Sequence, residues 1–224
     1  MSDPVAPEPR LVLVTGASRG LGYAVASALG ARGDHVVALA RTVGGLESLA
    51  DAIEGAGGPT PTLVPVSLSD TAGLQRLGFA LHERWGHLSL VVHCAAHAAP
   101  LAPAPHMADK DFDSSVEVNF KGTERLIVMM APLLLARPGG RFVYAADSRA
   151  GQPFYGAYGA TKAAAEALVR SWAAETVRLG PKVELFHPNP MPTALRGRFY
   201  PGEDNTTLPP CSAEAARMIE TLGL

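Results

Sequence analysis

The sequence has little cysteine, no long apolar run and no clustered charge of one sign. Its 224 residues include two cysteines, Cys94 and Cys211, which give neither a disulfide framework nor the spacing of metal ligands. The net charge is −2, without a basic block or stripe, which argues against nucleic acid and anionic membranes as partners. No apolar stretch approaches the length of a membrane span. We therefore expect a soluble, cytoplasmic protein.

The first residues differ in composition from the rest of the chain. Met1 to Pro9 carry three prolines and lack the basic and then apolar run of a signal peptide, so they predict a short disordered tail. Residues 10–224 are enough for one domain with a full hydrophobic core. The content of 47% hydrophobic and 18% charged residues is that of an ordinary globular protein.

Short β-branched segments alternate with longer alanine- and leucine-rich segments. The strands are almost continuously apolar, which indicates burial on both faces. The alternation predicts an α/β fold of the Rossmann type, a doubly wound parallel sheet of about six strands with helices on both faces. The predicted strands are Leu11–Thr15, His35–Ala40, Leu63–Val66, Leu88–Cys94, Arg141–Ala146 and Val183–His187. The predicted helices are Gly20–Arg32, Gly44–Glu54, Asp70–Trp85, Asp109–Ala136, Ala157–Leu179 and Ala213–Leu222.

Prolines predict two irregular places. Pro132 interrupts the fourth helical segment, so we expect a kink or break near Met129–Ala131. The segment from Pro188 to Pro210 is rich in proline and glycine and follows the last strand. Because ligands of open α/β sheets bind beyond the carboxyl ends of the strands, this segment is expected to cover a substrate.

A glycine-rich turn, Thr15-Gly16-Ala17-Ser18-Arg19-Gly20-Leu21-Gly22, connects the first strand to the first helix. Glycines let the backbone turn sharply and approach a pyrophosphate, which the helix N-terminus then attracts. The turn therefore predicts a dinucleotide site, and a turn that binds nothing is the alternative.

The end of the second strand points to the kind of dinucleotide. NAD binding needs a carboxylate about 20 residues after the glycines, whereas this strand ends in Arg41 and the next acidic residue is Glu47. Arg41 and Arg19 can pair with a 2′-phosphate instead. We therefore expect NADP(H), the alternative being two solvated surface arginines.

Tyr158 and Lys162 lie four residues apart on a predicted helix, so both project from one face. A tyrosine with a pKa near 10 is a poor acid or base at neutral pH, and a neighbouring ammonium lowers its pKa. The pair therefore predicts a proton donor, with a pair of surface side chains as the alternative.

Together these motifs resemble those of the short-chain dehydrogenase/reductase superfamily, in its single-domain branch. Besides the glycine turn and the Tyr158–Lys162 pair, the matching residues are Asn119, in Val118-Asn119-Phe120-Lys121-Gly122, and Ser148, in Ser148-Arg149-Ala150-Gly151. The resemblance extends from about Leu11 to the end of the sequence. It implies a single dinucleotide-binding catalytic domain over residues 10–224.

The resemblance implies roles for four catalytic residues. Tyr158 would give a proton to the carbonyl oxygen of a substrate, and Ser148 would hydrogen-bond that oxygen. Lys162 would hold the nicotinamide ribose, and Asn119 would anchor a water that links Lys162 to solvent. The alternatives are a turn serine at position 148 and, at position 119, an amide that bonds its own helix.

The resemblance also implies a set of residues that contact the cofactor. They come from the glycine turn, from the ends of the later strands and from the catalytic pair. These residues are Gly16, Ser18, Arg19, Gly20, Leu21, Gly22, Arg41, Leu68, Ala95, Tyr158, Lys162, Pro188 and Thr193.

The chain departs from the family pattern at several places. The segment from Ser148 to Tyr158 is shorter than usual, and Asp147, directly before Ser148, competes with it for the serine position. His93-Cys94-Ala95-Ala96 stands where Asn-Asn-Ala-Gly is usual, so we expect an asparagine tie within the sheet to be weakened. Ser67 stands where an aspartate near the adenine is usual.

Family members usually continue into a seventh strand, which this sequence lacks after Leu224. We therefore expect association through the helical segments Asp109–Ala136 and Ala157–Leu179, giving a homodimer or a tetramer. His93, His97 and His106 follow no ligand pattern, so no metal site is expected.

The sequence thus favours an NADPH-dependent oxidoreductase that reduces a carbonyl, or oxidises a secondary alcohol, of a small molecule. A non-catalytic NADP(H)-binding or sensor protein of the same fold is the alternative, favoured by the altered end of the fourth strand. The residues do not identify the substrate.

Overall fold

The computed structural model describes residues 9–147 and 149–224. Their strands form one six-stranded sheet in the order β3-β2-β1-β4-β5-β6, and every pair of neighbours is parallel. The predicted fold class is confirmed. The strands are β1 (Leu11–Thr15), β2 (His35–Leu39), β3 (Thr62–Val64), β4 (Leu90–His93), β5 (Arg141–Ala145) and β6 (Lys182–Phe186).

Helices follow most strands. None that the structure describes is long and apolar enough to cross a membrane. Two single turns of 3₁₀-helix, Ala104–His106 and Asn205–Thr207, lie in the connections. The α-helices are α1 (Gly20–Ala31), α2 (Val43–Gly55), α3 (Thr71–Trp85), α4 (Asp109–Ser115), α5 (Gly122–Leu135), α6 (Gly156–Glu175), α7 (Ala194–Phe199) and α8 (Cys211–Leu222).

Both faces of the sheet are covered, which explains why the strands are apolar throughout. Val12 and Val14 of β1 point to one face, where α1, α2 and α8 pack. Leu11 and Leu13 point to the other face, against α3, α5 and α6. Alternate residues of a strand therefore enter two separate cores, and neither set can be polar without burying an unpaired group.

The predicted helix Asp109–Ala136 is divided, but not where proline suggested. The break expected near Met129–Ala131 is wrong, because α5 continues through Pro132 to Leu135. Pro132 and Val128, one turn earlier, are both exposed, so the carbonyl that loses its N–H partner lies on the solvent side. The irregularity lies instead at Val116–Lys121, a wider turn of π-helix between α4 and α5. Such turns are frequent at functional sites.

The segment from Pro188 to Pro210, expected as an irregular loop, contains the unpredicted helix α7. At six residues α7 is too short to show a clear apolar period. Its first turn is capped by Thr193, whose hydroxyl oxygen accepts a hydrogen bond from the Arg196 N–H at 3.1 Å. Threonine is a frequent N-cap residue, so Thr193 was a sequence signal for the start of this helix.

Replacing Phe142 tests the core on the α6 face. Phe142 is fully buried and meets the Trp172 ring edge-on, with centroids 5.2 Å apart. We expect Phe142→Ala to lower the free energy of unfolding by about 3–5 kcal/mol, measured by urea denaturation, because the cavity cannot fill. The control is Phe79→Ala, at a phenylalanine that is 73% exposed, with an expected change within about 0.5 kcal/mol. Equal losses in the two variants would contradict this placement of the core.

Candidate active site

The glycine turn packs closely against the segment that follows β4. Gly16 has φ +72°, and a Cβ there would lie 2.9 Å from the backbone of Ala95. A Cβ on Gly22 would collide with the carbonyl oxygen of Gly16. The turn therefore closes tightly only with glycine at both positions. It leaves the N-terminus of α1, which has no acidic residue in its first turn and no side-chain cap, open to an anion.

A cavity of about 410 Å³ opens beside this turn, at the carboxyl ends of the strands. This is the edge at which open parallel sheets bind ligands. The structure brings all of the residues predicted to contact the cofactor to the wall of this one cavity. They are Gly16, Ser18, Arg19, Gly20, Leu21, Gly22, Arg41, Leu68, Ala95, Tyr158, Lys162, Pro188 and Thr193.

The two predicted phosphate-binding arginines lie at one end of the cavity. Arg19 and Arg41 are both exposed and both line it, together with Ser67. Among the described residues, Asp147 is the only acidic one in the lining, and it lies beside Tyr158 instead. Within the described lining of this cavity a 2′-phosphate would meet two guanidinium groups, and the one carboxylate lies beside Tyr158.

His93 ties β1, β4 and α5 together. Its Nδ1 lies 2.7 Å from the Thr15 hydroxyl oxygen, and its Nε2 lies 2.9 Å from the Thr123 hydroxyl oxygen. The tie expected to be weakened by the loss of the usual asparagine is therefore present in another form. The sequence suggested no such role for a histidine, because Thr15 and Thr123 are far from it along the chain.

The neighbours of the two threonines determine which nitrogen of His93 carries the proton. Thr123 donates its hydroxyl hydrogen to the carbonyl oxygen of Asn119 at 2.6 Å, so it accepts from Nε2–H of His93. Thr15 accepts from the N–H of Ala95 at 3.2 Å and donates to Nδ1. This arrangement uses one neutral tautomer. Burial, with the nearby Lys162 charge as a second cause, lowers the pKa of His93 to about 3.

Asn119 lies in the wide turn between α4 and α5 and is buried. Its Nδ2 donates to the carbonyl oxygen of His97 and to the hydroxyl oxygen of Thr161, each at 3.0 Å. Its Oδ1 accepts from the N–H of His97 at 2.7 Å. Both amide hydrogens are thus donated to acceptors within the protein, and the side chain joins the segment after β4 to α6. Its role in anchoring a water stays a prediction.

Tyr158 and Lys162 both face the cavity from α6, and both are buried. Lys162 donates to the carbonyl oxygen of Ala145 at 2.7 Å and lies 4.1 Å from the centroid of the Tyr144 ring. The Tyr158 ring packs against Phe199 of α7, with centroids 5.0 Å apart. Tyr158 and Lys162 are therefore not a pair of surface side chains, which was the alternative.

The hydroxyl of Tyr158 donates a hydrogen bond to Oδ2 of Asp147 at 2.8 Å. The expectation that Lys162 lowers the pKa of Tyr158 is wrong in this arrangement. Burial raises the pKa of Tyr158 well above its ordinary value, and the charge and the hydrogen bond of Asp147 raise it further. A carboxylate at this place stabilises the neutral phenol.

Ser148, predicted to orient the substrate oxygen, lies outside the described residues, and its role stays a prediction. Asp147 was noted in the sequence as a competitor for the serine position, and it is the residue in contact with Tyr158. Arg149 and Tyr200 also line the cavity. Arg149 donates to the hydroxyl oxygen of Tyr200 at 2.7 Å, joining the segment after β5 to the end of α7. Arg149 belongs to the quoted segment Ser148-Arg149-Ala150-Gly151, but no spacing in the sequence indicated its contact with Tyr200.

Comparisons with known proteins agree with this geometry. The model of a family described as short chain dehydrogenase matches residues 10–204. A fatty acyl-CoA reductase of Acinetobacter baylyi is 29% identical over 174 residues, which are 75% of this chain and 58% of the reductase. The chain thus spans little more than half of that relative.

Solved structures are similar over almost the whole chain. A short chain dehydrogenase from Pseudomonas syringae has a TM-score of 0.89 and 29% identity, covering 98% of this chain and 92% of its own. One from Shigella flexneri, complexed with NADP, has a TM-score of 0.86 and 28% identity, covering 91% of this chain and 86% of its own.

The buried neutral His93 predicts a loss of stability in acid. Unfolded, this histidine takes up a proton below about pH 6.5, whereas in the fold it stays neutral down to about pH 3. Its contribution to the free energy of unfolding is therefore fully present above this window. Between about pH 6.5 and about pH 3 it falls by about 1.4 kcal/mol for each pH unit, and below about pH 3 it falls no further.

Urea denaturation of the wild type and of His93→Asn across this pH range measures the effect. We expect the difference between their free energies of unfolding to shrink as the pH falls, because only the wild type has this group to protonate. The exposed His82 supplies the control, and His82→Asn should follow the wild type. A difference between wild type and His93→Asn that does not depend on pH would show that His93 is not held neutral.

Proposed function

The chain belongs to the short-chain dehydrogenase family, and from this premise we propose that it is an NADP(H)-dependent oxidoreductase that interconverts a carbonyl and a secondary alcohol in a small molecule. The observation that carries the proposal is the single cavity whose wall includes both the glycine turn and the Tyr158–Lys162 pair. A place for a dinucleotide and a place for proton transfer thus adjoin each other.

The residues present fit NADP(H). The uncapped N-terminus of α1 suits a pyrophosphate, and Arg19 and Arg41 suit a 2′-phosphate. Thr193, beside Gly20, lines the same cavity. The Shigella flexneri structure, which is similar to this chain, holds NADP. When bound, the nicotinamide supplies or accepts a hydride.

The chain's own residues would bind and orient the reactants. Lys162 is held rigidly by the carbonyl of Ala145 and presents its ammonium where ribose hydroxyls can accept hydrogen bonds. Tyr158 presents the phenol oxygen to the reacting oxygen of the substrate. Phe199 packs on the Tyr158 ring and excludes water from that side.

We propose an uncharged substrate. The guanidinium groups in the described lining near Tyr158 already have acidic partners. Arg149 lies 3.5 Å from Asp147, and Arg196 is paired with Glu203. A carboxylate or phosphate on the substrate would have to displace one of these partners, whereas a neutral ketone or alcohol would not.

Arg41 tests the cofactor assignment. We expect Arg41→Ala to weaken NADPH binding by about tenfold to a hundredfold, the worth of a charge-assisted hydrogen bond. NADH, which lacks the 2′-phosphate, should bind almost as before. Isothermal titration calorimetry with both cofactors measures this. The control is Arg178→Ala, which removes an exposed arginine outside the cavity. Equal losses for NADPH and NADH would contradict the phosphate contact.

Tyr158 tests the activity. We expect Tyr158→Phe to lower the rate of NADPH-dependent reduction of a panel of neutral ketones and aldehydes by about a hundredfold or more, with little change in NADPH binding. The matched control is Tyr23→Phe, at a tyrosine whose hydroxyl donates to the carbonyl oxygen of Ser48 at 3.2 Å. NADPH binding without turnover of any panel member would favour the non-catalytic binding protein instead, and unchanged turnover in Tyr158→Phe would refute the proton donor.

A further inference from the structure

We infer that Asp147 is the group that takes up the proton, through Tyr158, when an alcohol is oxidised at this site, and that returns it when a carbonyl is reduced. This inference rests on the proposed function and deepens it. It begins from the hydrogen bond of 2.8 Å between the Tyr158 hydroxyl and Oδ2 of Asp147. Asp147 is also the only acidic side chain that the described lining of the cavity contains.

The direction of the hydrogen bond decides what Tyr158 can do. While its hydroxyl hydrogen is donated to Asp147, Tyr158 has only its oxygen lone pairs left for a ligand, so it accepts and does not donate. An alcohol, which has an O–H to give, matches this state. A carbonyl, which has none, does not. The carboxylate form of Asp147 therefore prepares the site for the alcohol.

Adding one proton to Asp147 gives the opposite hydrogen-bond arrangement. If Asp147 is protonated, its O–H can donate to the oxygen of Tyr158, and the Tyr158 hydrogen then becomes free to donate to a carbonyl oxygen. The two-residue relay thus has one arrangement for each substrate. The protonation of Asp147 selects between them.

The step balances in both directions. In oxidation, the alcohol O–H gives its proton to the Tyr158 oxygen while Tyr158 gives its own proton to Oδ2 of Asp147. The carbinol C–H bond breaks with its electron pair, and the hydride goes to the oxidised nicotinamide of NADP⁺. The products are a carbonyl compound, NADPH and a neutral Asp147. Reduction runs through the same bonds in the opposite order.

The surroundings favour a carboxylate over a phenolate as the resting base. Burial and the contact with Asp147 both raise the pKa of Tyr158, so the phenolate is not available near neutral pH. Asp147 accepts the hydrogen bond of the Tyr158 hydroxyl, so it is the base that the geometry places next to the phenol. The Asp147 side chain keeps 26% of its surface exposed, so it can exchange its proton with solvent through the cavity.

Other charged and titratable groups face the pair from each neighbouring element. Arg149, 3.5 Å from Asp147, is the nearest cation. The remaining groups come from β5, from the start of α6 and from the end of α7. They are Tyr144, Tyr155, Lys162, Arg196 and Tyr200. Arg149 thus supplies a counter-charge to the Asp147 carboxylate.

A titration without substrate or cofactor tests the coupling of the two residues. The near-ultraviolet absorbance of tyrosinate is followed against pH for the wild type, Asp147→Ser and Asp147→Asn, and Tyr158→Phe identifies the signal of Tyr158. We expect both Asp147 variants to lower the midpoint for Tyr158 by about one pH unit or more, because a neighbouring negative charge is removed. Asp51→Asn, at an exposed aspartate of α2, should change nothing. An unmoved midpoint in both Asp147 variants would overturn the inference.

Turnover tests the role in catalysis, with cyclohexanol and NADP⁺ as the probe for oxidation and cyclohexanone and NADPH for reduction. In the wild type we expect kcat/KM for oxidation to rise through the range of a carboxyl group and to be level by neutral pH. In Asp147→Ser this rise should move to alkaline pH, since only Tyr158 then remains as the base. Asp147→Asn should lose about a hundredfold or more at neutral pH.

A merely structural Asp147 predicts a different result. If Asp147 were only structural, replacing it would lower the rate without shifting the pH profile of turnover. Asp147→Glu would then recover no profile in the carboxyl range. We expect Asp147→Glu to keep the carboxyl-range profile at a reduced rate. Wild-type turnover with an unchanged profile in Asp147→Ser would overturn the inference. If no protein oxidises or reduces the probes, the tyrosinate titration alone decides, while NADPH binding and the ketone panel decide the proposed function separately.

Discussion

The candidate site depends on the neutral imidazole of His93. It joins Thr15 at the end of β1 to Thr123 at the start of α5, across the boundary at which the strand order changes direction. The same threonine hydroxyl, on Thr15, accepts from the N–H of Ala95. This chain of hydrogen bonds holds the segment after β4 beside Gly16, where a Cβ would not fit. His93 thus supports the wall of the cavity without being one of its lining residues.

Much of the fold could be predicted from the sequence because its signals are local. Continuous apolar strands, the glycine turn and the alternation with helices each lie within a few residues, and most predicted bounds agree closely with the structure. The clearest exceptions lie in three elements. α7 is too short to display a period, α6 ends at Glu175 rather than at Leu179, and the wide turn at Val116–Lys121 needs tertiary contacts of Asn119 to form.

Which residues line the candidate site could be predicted from the sequence, whereas the hydrogen bonds between them could not. The residues predicted to contact a cofactor came from the resemblance, and the structure places them on the wall of one cavity. The tie through His93 could not, because its partners are 78 and 30 residues away along the chain. Asp147 illustrates a second limit. Asp147 was noted only as a competitor for the serine position, and counting along the chain could not show that its carboxylate contacts Tyr158.

A carboxylate beside the phenol changes what the rest of the site has to do. A serine hydroxyl can both donate and accept, so it serves an alcohol and a carbonyl without changing its charge. A carboxylate can only accept, and its charge would repel the oxyanion that develops when hydride reaches a carbonyl. Reduction therefore needs the neutral acid, whereas oxidation needs the anion. Arg149 lies between Asp147 and Tyr200 and supplies the nearest counter-charge to the carboxylate. In the relay that we propose, the hydrogen bond donated by Tyr158 to Asp147 is the arrangement that matches an alcohol.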